Sequence, residues 1–140
     1  RKSKTMSTLS VGTIKSASSA APVIQNSSGT EKGQFIKAWI QFQGDGTVSI
    51  RDSFNVSSVT DHGTGDYTIT YTNAFSNDDY CLVGTPTEDE DQNGGDRGQM
   101  CLSPTRTPHA AGSSRIHTFV SNNAQLFDCG RIEVMVTGDN

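Results

Sequence analysis

The stretch Phe35-Ile36-Lys37-Ala38-Trp39-Ile40-Gln41-Phe42 decides the fold. In an extended chain Ile36, Ala38, Ile40 and Phe42 share one face while Phe35, Lys37, Trp39 and Gln41 share the other, which is the period-two pattern of a strand. Gly44-Asp45-Gly46 follows, with two glycines able to take the positive φ of a tight turn. From Thr47 to Phe54 the alternation resumes, Val48, Ile50 and Asp52 opposing Thr47, Ser49 and Arg51. Residues 34 to 54 are therefore expected to form a β-hairpin.

Further along, Val56 and Val59 mark a third run that ends at Asp61-His62-Gly63-Thr64-Gly65. Asp66 to Thr72 then sets Tyr67, Ile69 and Tyr71 against three threonines, as in an antiparallel strand with one wet side. More strands are expected at Tyr80 to Gly84, Gln99 to Leu102, Arg115 to Val120 and Arg131 to Thr137. In the last of these Ile132, Val134 and Val136 alternate with Arg131, Glu133 and Met135. No segment carries helical periodicity. Seven or eight short strands divided by Gly, Asn and Asp turns define an all-β chain, an antiparallel β-sandwich or barrel-like domain over residues 34–140. Two polar loops, 85–98 and 103–114, stand where a rigid β scaffold usually carries its specificity.

Residues 1–33 read differently. Ser, Thr and Ala dominate, and Leu9, Val11, Ile14, Val23 and Ile24 are scattered without period, so the segment is expected to be an extended N-terminal arm or linker. Pro22-Val23-Ile24 and the turn-rich Asn26-Ser27-Ser28-Gly29 suggest a short extended piece laid against the domain edge. Because residue 1 is Arg and not Met, the chain is expected to be cut from a longer polypeptide.

The 140 residues include 17 Ser and 16 Thr, with 32% hydrophobic and 19% charged, a profile for short strands and turns and not for a helical bundle. Eleven Lys and Arg against fifteen Asp and Glu give a net charge of −4 without a basic stripe, which argues against a nucleic-acid partner. No apolar run approaches the roughly 20 residues that cross a bilayer, so no membrane insertion is expected and the chain reads as soluble. Large apolar side chains are few for the length, and self-association is one way to make up the shortfall. Cys81, Cys101 and Cys129 are odd in number, lack CxxC spacing and lie in or beside apolar runs. They read as small buried hydrophobes, with a single Cys81–Cys101 or Cys101–Cys129 bridge as the alternative.

A longer ordered string now carries weight. Lys37-Ala38-Trp39-Ile40-Gln41-Phe42 continues through Gly44-Asp45-Gly46-Thr47-Val48-Ser49-Ile50-Arg51-Asp52-Ser53-Phe54-Asn55-Val56-Ser57-Ser58-Val59-Thr60 to Asp61-His62-Gly63-Thr64-Gly65-Asp66-Tyr67-Thr68-Ile69-Thr70-Tyr71. It is preceded by Ala21-Pro22-Val23-Ile24-Gln25-Asn26-Ser27-Ser28-Gly29-Thr30-Glu31. This string resembles a recurring C-terminal domain of tailed-bacteriophage virion proteins, especially tail fibres, over residues 20 to 84. The resemblance implies a β-rich, trimeric, distal or accessory part of a virion appendage that contacts the host surface. It identifies a structural module and no reaction, and after Gly84 it fades, so no receptor follows from it. Phe35 and Trp39, apolar groups on the second face of the first strand, are then candidate trimer contacts. The alternative is that both faces are covered within one sandwich.

Several constellations bear on chemistry. Asp89-Glu90-Asp91-Gln92-Asn93-Gly94 opens like a calcium loop, with Asp89, Asp91, Asn93 and Asp96 as candidate oxygen ligands, but Met100 stands where a closing Glu is needed. The bland alternative is a solvated acidic loop. His62, His109 and His117 show no zinc spacing, and no G-x-S-x-G elbow is present. Carboxylates of the 88–96 cluster lack an apolar pocket to raise one pKa for glycan cleavage, so no enzyme is expected. Tyr80, Arg106 and His109 are candidate contacts for a surface glycan. The leading expectation is thus a non-enzymatic virion appendage domain that trimerises and attaches to a bacterial surface glycan or protein. The alternative is a collar, decoration or adaptor protein joined to other virion proteins through its arm.

Overall fold

The computed structural model describes residues 9–15, 22–87, 100–104, 109–121 and 123–138, the backbone alone for 100–104. The chain divides into two compact units, Arg1–Phe35 and Ile36–Asn140.

In the first unit β1 (Ile24–Gln25) pairs antiparallel with β2 (Glu31–Gly33). The turn between them is built by Asn26, whose Oδ1 accepts from the backbone N–H of Ser28 at 3.1 Å and of Thr30 at 2.8 Å, while Gly29 takes φ +79°. The sequence signal Asn26-Ser27-Ser28-Gly29 is a hairpin turn, and the piece at Ile24 finds its strand partner inside its own segment.

The second unit holds β3 (Ala38–Gln43), β4 (Ser49–Phe54), β5 (Val56–Gly63), β6 (Asp66–Tyr71), β7 (Tyr80–Thr87), β8 (Met100–Pro104), β9 (Ser113–Val120) and β10 (Arg131–Gly138). They form two antiparallel four-stranded sheets, in the orders β4-β3-β10-β7 and β5-β6-β9-β8. Among the described residues there is no helix and no closed barrel, so of the two all-β architectures expected the barrel-like one is set aside.

Why these residues pack this way is visible in their alternation. β6, β9 and β10 bury every second residue, and β3 buries Ala38, Ile40 and Phe42. Tyr67, Ile69 and Tyr71 of one sheet meet Ile132, Val134 and Val136 of the other in a single core, and Phe42 meets Tyr67 edge-on with ring centroids 5.3 Å apart. Edge strand β4 is mostly exposed, and edge strand β7 accommodates Pro86, which an inner strand would not.

Two bulges set the faces. Asp52 pairs with Gln41 but Ile50 pairs with Phe42, so Arg51 is an extra residue in β4 and the strand changes face there. In β5 the register slips between Val56 and Ser58, which lets Val56 and Val59, three residues apart, both pack on the core. The chain passes from β4 to β5 through Asn55, at φ +57°. Its side chain holds this corner: Nδ2 donates to the carbonyl oxygens of Lys37 at 3.1 Å and Asn73 at 3.2 Å, and Oδ1 accepts from the Asn73 N–H at 2.8 Å. Asn is the residue best suited to this task, since its short amide tolerates left-handed backbone and bonds locally.

The outer side of β5-β6-β9 is polar. Arg115 grips Asp66 with two hydrogen bonds of 2.8 and 2.6 Å, and His117 Nε2 lies 3.5 Å from the same carboxylate. The Arg115 hydrogen bonds hold the Asp66 carboxyl below its ordinary value near 3.8, against the opposing pull of burial. A depressed folded-state pKa means that the stabilisation is present in full above the unfolded value and is lost as the pH falls through the lower folded value. Asp66→Asn is therefore expected to lower the urea midpoint at pH 7, and the gap to the parent protein should narrow as the pH falls below the ordinary Asp value of 3.8. A gap that stays constant down to pH 2 would contradict this reading.

Candidate functional site: the outer face of the β4-β3-β10-β7 sheet

Every strand of a sandwich sheet points alternate side chains away from the core. On β5-β6-β9 those side chains are largely Thr, Asp, Arg and His, as water demands. On the other sheet one full row of them is apolar. Register places Trp39 opposite Phe54 on one side and Met135 on the other, and Met135 opposite Val83. Phe54, Trp39, Met135 and Val83 thus form an unbroken apolar row across all four strands, and they are 54%, 37%, 38% and 49% exposed. A contiguous exposed apolar row on a β-sheet surface is unusual enough to mark a contact region.

The neighbouring row is polar. Asp52, Gln41, Glu133 and Thr85 stand side by side in register, and Gln41 Nε2 donates to Glu133 Oε1 at 2.6 Å. Between the rows runs an open groove of about 420 Å³ lined by Trp39, Gln41, Val83, Thr85, Glu133 and Met135. What this arrangement can do is bind: it offers an apolar strip for burial, with carboxylates at Glu133 and Asp52 along one margin.

Of the candidates read from the sequence, Trp39 lies in the centre of this row, whereas Phe35 is 41% exposed and belongs to the N-terminal unit. The strand containing Trp39 begins at Ala38 and not at Phe35. Tyr80 and His109 come together, their ring centroids 5.0 Å apart at the end of an aromatic chain that includes Tyr71 and Phe75. The Tyr80 hydroxyl is engaged internally, with the carbonyl oxygens of Ala110 and Ser113, each at 3.1 Å, as acceptors within reach of its single proton and the buried Ser114 Oγ at 2.6 Å. Tyr71 shares a second 2.6 Å bond with Ser114, and burial pushes its hydroxyl pKa up. These groups close the end of the sandwich. His109 Nδ1 is buried without a hydrogen-bond partner among the described residues.

Arg106 and the proposed calcium ligands Asp89, Asp91, Asn93 and Asp96 lie outside the described residues, as do most of loop 85–98 and residues 105–108 of loop 103–114. Among the described residues no group of three His, Cys, Asp or Glu is close enough to hold a metal. Cys81 is an exposed free thiol, contrary to the expected burial, because it lies on edge strand β7; Cys129 is buried as expected, with its Sγ 3.8 Å from the Phe127 carbonyl oxygen, and the side chain of Cys101 is outside the description. Beyond Trp39, the residues of the row were not singled out by sequence reasoning. Their signal was present, since Met135 falls among Arg131 and Glu133 on the polar phase of its strand, and an apolar residue out of phase is the mark of a second covered face.

Fold and face together define an all-β sandwich-like module with one polar outer surface and one outer surface crossed by an apolar row. Comparison with protein-family models, with curated proteins and with solved structures finds no match for this chain.

Proposed function

We propose that this chain is a non-enzymatic structural module of a bacteriophage virion appendage, which assembles into a homotrimer through the outer face of β4-β3-β10-β7 and contributes to host-surface attachment. The observation that carries the assembly part is the Phe54–Trp39–Met135–Val83 row, whose four side chains are left over after the core is complete. The virion part rests on the resemblance of residues 20 to 84 to tail-fibre domains, and the trimer is what that resemblance implies. Attachment would be multivalent: three weak contacts on one rigid particle raise avidity without a deep pocket in any one copy. In the adaptor reading, the same module joins virion components through residues 1–33.

The test is the solution mass of the parent chain and of a Trp39→Glu/Met135→Glu variant. Both positions face outward, so far-ultraviolet circular dichroism should be unchanged. The parent is expected near 45 kDa, three times the 15.0 kDa chain, and the variant at the monomer mass. A variant that keeps the parent's oligomeric mass overturns the proposed interface.

A further inference from the structure

We draw no further inference here: the strongest candidate, the exposed Phe54–Trp39–Met135–Val83 row on the outer face of β4-β3-β10-β7, belongs to the site already described, and with Arg51 and Arg131 sharing that face with Asp52 and Glu133 nothing in the structure shows what covers it.

Discussion

Gly65→Ala is expected to lower the melting temperature of the sandwich by about 12 °C or more, corresponding to about 4 kcal/mol. Gly65 sits in the turn between β5 and β6 at φ +63°, where a side chain already costs about 1–2 kcal/mol. A Cβ there would stand 2.4 Å from the Thr118 carbonyl oxygen and 2.7 Å from the Phe127 nitrogen. Both are backbone atoms, and they belong to β9 and to the segment leading into β10. Neither can yield as a side chain would. The close approach also has a purpose: the Gly65 N–H donates to Asp128 Oδ1 at 2.7 Å, and its carbonyl accepts from the Thr118 N–H at 2.9 Å. Gly112→Ala is the control, because an added Cβ meets nothing within 4 Å, and its effect should stay within about 0.5 kcal/mol. Thermal unfolding of the two variants side by side decides the matter, and equal melting temperatures would contradict the turn geometry.

Phe42→Ala should destabilise the protein by about 3–5 kcal/mol, read as a fall in the urea midpoint with unchanged slope. Phe42 is fully buried, and its ring is held between the sheets against Tyr67. The site cannot collapse easily, because Tyr67 is pinned at its far end. The Tyr67 hydroxyl donates to Gly44 O at 2.9 Å and is 2.6 Å from Asp128 Oδ1, and burial with that carboxylate alongside pushes its pKa up. A residual cavity therefore adds to the lost transfer energy. A loss below about 1 kcal/mol would mean that Phe42 does not join the two sheets.

Much of this fold was legible because burial imposes period two on sequence. Ile132, Val134 and Val136 in β10, and Tyr67, Ile69 and Tyr71 in β6, announce their inner faces directly, and both strands lie within a residue of where alternation puts them. Reading failed where pairing departs from strict alternation. The extra residue Arg51 moves Phe54 and Asp52 onto the face of Trp39 and Gln41 while Ile50 stays opposite Phe42, and no local pattern announces such a bulge. Strand β7 runs on to Thr87 through Gly84 and Pro86, residues that ordinarily signal a loop, because an edge strand needs a partner on one side only. The apolar row was half legible. Trp39 stands out within one strand, but its continuity with Phe54, Met135 and Val83 exists only across strands that are distant in sequence, and register alone creates it.

The most direct test of the central claim is the solution mass of the unaltered 140-residue chain, measured by light scattering across a concentration series. The self-assembly account predicts a species near 45 kDa, three times 15.0 kDa, that dissociates on dilution together with a red shift of the single tryptophan, Trp39. A species that stays at 15.0 kDa at every concentration, with Trp39 emission unchanged throughout, would contradict it.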